Sequence, residues 1–178
     1  ILSYYEIRFD ISYRRTAQEI DEIEQIEDTD ELERFLRGKL TQFSTGIIFQ
    51  LNDYSQARYD LEKIFMNVYY SDPKIAYGFR SLETNLYPET GPARIVEFTV
   101  SYAQQPATLS AKSATATDEA QIILDSYIGS NLTVNRLKYF YDTLCTSVDF
   151  DTETAQALQD SEKALPKTDP FTVYGAII

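Results

Sequence analysis

The sequence predicts an α+β fold, a mostly antiparallel sheet with interleaved helices, followed by a helical C-terminal tail. Three observations predict it. Apolar and polar residues alternate over positions 5–13 and 94–102, which is strand periodicity. Apolar residues recur at helical spacing around Leu32, Leu61, Ala120 and Leu137. The run Pro88-Glu89-Thr90-Gly91-Pro92 has turn chemistry and separates two strand-like segments.

The elements follow in order. Tyr5, Ile7, Phe9, Ile11 and Tyr13 share one face of a strand, with Glu6, Arg8, Asp10 and Ser12 opposite. Thr29 or Asp30 can cap a helix, with Glu33 in capping-box position for Asp30 and the stripe Leu32, Phe35, Leu36, Leu40. Gly46 breaks that pattern, and Ile47-Ile48-Phe49-Gln50-Leu51 reads as a buried strand. Ser55 can cap the next helix, striped by Leu61, Ile64, Phe65, Val68 and Tyr69, and Asp72-Pro73 ends it. Residues 79–87 and 94–102 form a hairpin, with Val96, Phe98, Val100 and Tyr102 on one face and Glu97, Thr99 and Ser101 on the other. Residues 103–117, rich in Ala, Ser, Thr and Gln and holding Pro106, read as a loop and a hinge. Thr117 then caps a helix over 118–128, with the stripe Ala120, Ile123, Leu124, Tyr127, Ile128, and Gly129 stops it. A further stripe comprises Leu137, Phe140, Tyr141, Leu144 and Val148. Residues 151–161 form a weaker acidic helix or loop, and Asp169-Pro170 opens a last helix over 171–178. Two units follow: an α+β domain over 1–116, whose residues 1–28 are the N-terminal strand and acidic segment, and a helical segment over 117–178.

Composition excludes several chemistries. The 178 residues include no His and one Cys, so neither a Ser-His-Asp nor a Cys-His system is complete within the chain, and no zinc or thiolate cluster can form. A net charge of −12 opposes binding to nucleic acid or an anionic membrane, and no apolar run approaches the length of a membrane span. Ile1 in place of Met and the apolar segment 174–178 read as the ends of a fragment or processed chain. Residues 16–33 carry nine of the 28 acids and no Lys or Arg. They read as a solvated helix or linker whose edge, Ile20, Ile23 and Ile26, meets something apolar; a cation site is the alternative, without ligand spacing around a turn glycine to support it.

Candidate reactive residues are few. Cys145 lies beside the Leu144 stripe with no activating imidazole and reads as structural. Asp149 and Asp151, followed by Glu153, could form a glycosidase pair or a solvated turn. A calcium loop from Asp149 would have Thr154 where it needs Gly and Asp160 in place of the final Glu. No glycine motif for phosphate is present. Asn131-Leu132-Thr133 matches a glycosylation acceptor. The 14 tyrosines, with close sets at Tyr4, Tyr5, Tyr69, Tyr70, Tyr139 and Tyr141, either pack half-buried faces or line a binding surface. Arg14-Arg15 and the scattered Lys residues form no basic stripe. No residue of the chain is expected to serve as a catalytic, cofactor-binding or metal-ligating group.

The stretch from Asp30 onward resembles the region upstream of, and leading into, the transglutaminase-like domain of bacterial cell-surface proteins. The similarity rests on the helix, strand, helix and hairpin order of 32–43, 46–51, 55–70 and 95–102, with the turn Ser71-Asp72-Pro73 and the following Lys74-Ile75-Ala76-Tyr77-Gly78-Phe79. Residues 137–151, Leu-Lys-Tyr-Phe-Tyr-Asp-Thr-Leu-Cys-Thr-Ser-Val-Asp-Phe-Asp, are similar to the family's Lys-x-x-x-His-Asp-Tyr-Leu-x-x-x-Val-x-Tyr-Asp, with Tyr141 in place of the frequent His and Phe150 in place of Tyr. Tyr174-Gly175-Ala176-Ile177-Ile178 resembles the segment before the family's catalytic Cys. The resemblance implies a non-catalytic accessory module at the cell surface or outside the cell. Its implied partner is a transglutaminase-like core whose Cys, His and Asp lie outside this sequence, and Asp142 would take a packing or capping role. The alternative is an extracellular module that binds glycan or protein, cell-wall glycan or peptide included, through tyrosines. Exposed apolar residues around Phe140, Leu144, Val148 and Ile177 would favour a homodimer or a tail docked on the sheet.

Overall fold

The computed structural model describes residues 15–147 together with Thr152 and Gln156. The expected strand over 5–13 and the last helix over 171–178 lie outside the described residues, as do Asp149, Asp151, Glu153, Thr154 and Asp160. The described elements are α1 (Ala17–Asp21), β1 (Gln25–Ile26), α2 (Thr29–Thr41), β2 (Gly46–Leu51), α3 (Leu61–Ser71), β3 (Phe79–Tyr87), β4 (Arg94–Tyr102), α4 (Pro106–Asp125) and α5 (Thr133–Ser147). They make the α+β fold the patterns predict. The four strands lie in the order β1-β2-β4-β3. β4 is antiparallel to both neighbours, and the two-residue β1 is parallel to β2.

Helices α2 and α3 occupy one side of the sheet because their stripes are apolar there. Leu32, Leu36 and Leu40 of α2 and Ile64, Phe65, Val68 and Tyr69 of α3 meet Ile47, Phe49 and Leu51 of β2 and Val96, Phe98 and Val100 of β4. Phe98 is the meeting point, edge-on to Phe49 at 5.5 Å and to Phe65 at 5.7 Å between centroids. The run Ile47–Leu51 does not bury both faces. Ile48 lies on the outer face and is exposed, in a depression beside Glu19 of α1. Glu97 shares that outer face yet is only 7% exposed, and it pairs with the Arg15 guanidinium.

The acidic run 16–33 resolves into α1, β1 and the first turn of α2, not one helix or linker. Thr16 and Glu19 close α1 with a reciprocal capping box. Those backbone and hydroxyl hydrogen bonds from Thr16 hold the Glu19 carboxyl below its ordinary pKa. Ile26 enters the core, Ile23 is half-buried and Ile20 is exposed. No group of His, Cys, Asp or Glu among the described residues converges as a metal ligand set.

Two caps differ from expectation, each moved to an Asp whose side chain reaches a first-turn N–H. Asp28, not Thr29 or Asp30, caps α2, accepting from the Glu31 N–H at 2.8 Å. Asp30 and Glu31 then sit in the first turn, where the helix dipole favours acids. Asp60, not Ser55, caps α3 by accepting from the Lys63 N–H at 3.2 Å. Ser55 closes the preceding turn instead, its carbonyl accepting from the Tyr59 N–H at 2.9 Å.

The largest correction concerns residues 103–117. The expected loop is helix from Pro106 onward, and the expected cap Thr117 lies inside α4. The Thr117 hydroxyl donates to the Ser113 carbonyl at 2.7 Å. Pro106 pre-sets the first turn, and Ala107, Ala111, Ala114 and Ala116 lose little entropy on becoming helical. The stripe is sparse because two residues suffice to seat the helix: Leu109 and Ala116, seven positions and two turns apart, are its buried members. α4 is continuous across 116–117, the expected division between the two units, and it stops at Asp125, ahead of Ile128 and Gly129.

Two tight positions join α4 to the body. Phe43 follows α2 in the left-handed region (φ 50°), with its N–H on the Leu40 carbonyl at 2.9 Å. That conformation costs about 1–2 kcal/mol for a residue with a Cβ. Burial against Tyr77 and Leu109, with edge contacts to Tyr77 and Tyr102, offsets it. Gly78 sits at φ 61°, where a Cβ would lie 3.2 Å from Leu109 Cδ2. Replacing Gly78 by Ala is expected to lower unfolding free energy by about 1–3 kcal/mol through backbone strain, read from urea denaturation. Phe98→Ala, which empties the centre of the core, is expected to cost about 3–5 kcal/mol in the same assay.

Candidate functional site

The candidate site lies where α4 leaves the body of the fold. The N-terminal half of α4 is fastened by Leu109, packed with Phe43 and Tyr77, and by Ser113, whose hydroxyl donates to the Lys74 carbonyl at 2.7 Å. The segment it meets is the turn after α3. There Asp72 accepts from the Lys74 N–H at 2.9 Å, and the Ile75 N–H bonds the Asp72 carbonyl at 3.1 Å. A cleft of about 220 Å³ separates the turn from the helix. Pro73, Lys74 and Tyr77 form one wall. Ala116, Thr117, Ala120, Gln121 and Leu124, all on one face of α4, form the other.

Past the cleft the chain carries its apolar residues outward. Leu124 is 43% exposed and Ile128 is 98% exposed. In α5, Val134, Leu137, Tyr141 and Leu144 recur at intervals of three and four, a single stripe, and all four are exposed. No residue of α5 is buried. What holds the helix is a ring cluster on its other side: Tyr139 lies 5.2 Å from Tyr127 and 5.5 Å from Phe140, and its hydroxyl is 2.6 Å from that of Ser126. Lys138 and Asp142 pair one turn apart at 2.7 Å beside the stripe. That hydrogen bond raises the Lys138 pKa above its ordinary value.

The sequence-derived candidates are scattered. Cys145 is an exposed free thiol on α5, and its hydrogen bond with Tyr141 raises the Tyr141 pKa. Asp142 meets Lys138. Asn131 is exposed in the connection between α4 and α5. Among the described tyrosines, Tyr59, Tyr69 and Tyr77 are core residues, while Tyr70, Tyr87 and Tyr141 are exposed on three different elements. A second depression, of about 250 Å³, mixes Arg15 and Lys39 with Glu19, Glu22 and Glu24 around Ile23, Phe35 and Ile48. Lys39 there sits over the Phe35 ring at 5.2 Å. The cleft under α4 is not visible in the sequence, because its walls are about forty residues apart, although Ala120 and Leu124 of the helical wall do show helical spacing.

Two buried phenols flank the α4 junction. Burial pushes the Tyr102 pKa up to about 12, and its hydroxyl finds no hydrogen-bond partner among the described residues. Burial also raises Tyr69, although the Phe79 N–H donates to its oxygen at 3.2 Å. A raised folded-state pKa gives stability that is complete below the unfolded value, 10.0, and is lost as pH climbs toward the folded one. The thermal midpoint is therefore expected to fall between pH 10 and about 12. Tyr102→Phe should leave stability at pH 7 unchanged or raised, since it removes an unpaired buried hydroxyl, and should flatten the alkaline decline.

No helix among the described residues is long and apolar enough to cross a membrane. No family model matches the chain, and no curated protein or solved structure shows significant similarity to it.

Proposed function

We propose that this chain is a non-catalytic accessory module of a transglutaminase-like protein, at the cell surface or outside the cell, and that its helical part packs against the catalytic core. One observation carries the reading: α5 presents Val134, Leu137, Tyr141 and Leu144 as one exposed stripe and buries none of its own residues. An isolated helix of 15 residues is marginal in water, and an amphipathic helix gains most of its stability from what covers its apolar face. The resemblance in 137–151 assigns this helix to the opening of the catalytic domain, so the core is the natural cover. The absence of His supports a non-catalytic role, because thiolate attack on an amide needs a general base to prepare the nucleophile. The alternative, a glycan- or protein-binding module, has thinner support from Tyr70, Tyr87 and Tyr141, each on a different element.

Incubated alone with a glutamine donor and a primary amine, the purified chain is expected to give no crosslinked product; steady turnover would overturn the reading. A transglutaminase-like catalytic domain of the same protein, added separately, is expected to bind it in calorimetric titration. Leu137→Glu, which places a charge in the α5 stripe, is expected to abolish that binding without changing the circular dichroism of the chain.

A further inference from the structure

We infer that β3 is a self-pairing edge: two copies of the chain join antiparallel through it, about a two-fold axis at Thr84, into one continuous sheet. The inference does not rest on the docking reading above, since it uses the edge of the sheet and neither α4 nor α5.

The register says which backbone groups the edge offers. Among the described residues β3 pairs with β4 alone. The Val100 N–H donates to the Thr45 carbonyl at 2.7 Å, so Val96, Phe98 and Val100 direct their backbone groups at β2. The alternate residues Ile95, Glu97, Thr99 and Ser101 then bond to Tyr87, Asn85, Glu83 and Ser81 of β3. This turns the N–H and C=O groups of Leu82, Thr84 and Leu86 toward the free edge. Their side chains face the helix layer, where Leu82 and Leu86 pack half-buried at the rim of the core. Natural edges are commonly blunted by Lys, by Pro or by a charge on the buried side. Residues 81–87 carry none of these.

The segment is complementary to itself, and that selects a second copy as the occupant. The usable ladder is bounded at one end by the register shift between Phe79 and Ser81 and at the other by Pro88, which has no N–H. Thr84 is the midpoint of the run between them. Pairing about Thr84 sets Leu82 opposite Leu86, which continues the core across the axis. It sets Glu83 opposite Asn85, a carboxylate against an amide donor that within one copy reaches it at only 3.4 Å. Thr84 meets its own copy, and about six backbone hydrogen bonds form. The bulge then lies across from the proline, so both copies end the ladder at the same rung. Moving the axis to Glu83 would oppose two carboxylates, which is destabilising. Moving it to Asn85 would set Leu82 against Pro88, which cannot donate. An unrelated strand needs none of this symmetry, and a second copy requires all of it.

The test uses the full chain. Light scattering at high protein concentration is expected to give twice the 20.5 kDa chain mass; a monomer at every concentration overturns the inference. Thr84→Pro removes an N–H that faces the free edge and that pairing with β4 does not use. It is expected to give a monomer with unchanged circular dichroism. In a Cys145→Ser background, Thr84→Cys is expected to form a disulfide-linked dimer on mild oxidation, because the axis brings the two copies of that position within bridging distance. Ser81→Cys in the same background, several rungs from its own copy, is expected to stay unlinked. The crosslink decides the matter if Thr84→Pro does not fold. A dimer that a folded Thr84→Pro leaves intact, or one bridged by Ser81→Cys and not by Thr84→Cys, overturns the inference. So does self-association that Leu137→Glu removes and Thr84→Pro does not, which would place the interface on α5.

Discussion

The rest of the structure depends on one contact set, the edge-on meeting of Phe98 with Phe49 and Phe65. It joins the two central strands to α3 at the middle of the sheet. The alternation of β4 excludes any register one residue out from the observed pairing, because such a slip would turn Val96, Phe98 and Val100 outward. The pairing of β4 with β2 and β3, the seating of α2 and α3, and the position of the turn after α3 all follow from that choice. Edge-to-face rings gain from the quadrupole as well as from burial, so the arrangement is directional and not merely apolar.

Much of this architecture is legible in the residues. Both long strands have the predicted bounds, β4 from its alternation and β3 as the other arm of the hairpin, and the stripes of α2 and α3 name most of the core. Asp72-Pro73 marks the end of α3 by a local steric rule. The failures have physical causes. At α2 adjacent residues can all cap, and Asp28 does the same chemistry as Thr29 and Asp30; at α3 Ser55 closes a turn of its own, and Asp60 caps the helix. The burial of Glu97 could not be read from a polar position on an outward face, because it follows from the approach of Arg15, 82 positions away.

The first half of α4 is hidden in the sequence. Periodicity detects a helix by the apolar stripe it must bury, and α4 buries only Leu109 and Ala116. Its start relies on alanines and a proline, features that also occur in loops. The second half does show helical spacing at Ala120 and Leu124, but spacing does not show that they face Pro73 and Tyr77. The opposite wall, Pro73 to Tyr77, reads only as a turn until the Ser113 hydroxyl is seen on the Lys74 carbonyl. Spacing marks Leu137, Tyr141 and Leu144 and predicts exposed apolar surface around Leu144, while the structure adds Val134 to the exposed stripe and half-buries Phe140.

The way α4 is held has a mechanical consequence. The helix is clamped through its first half by Leu109, Ser113 and the buried Ala116 and continues to Asp125. At 1.5 Å per residue, the arm beyond Ala116 is about 14 Å long. A tilt of about 5° at the clamp would swing its tip by about 1 Å over that arm. Slight repacking around Phe43, Tyr77 and Gly78 would thus be amplified into a displacement of whatever the tip carries, as a short lever turns a small rotation at its fulcrum into travel at its end.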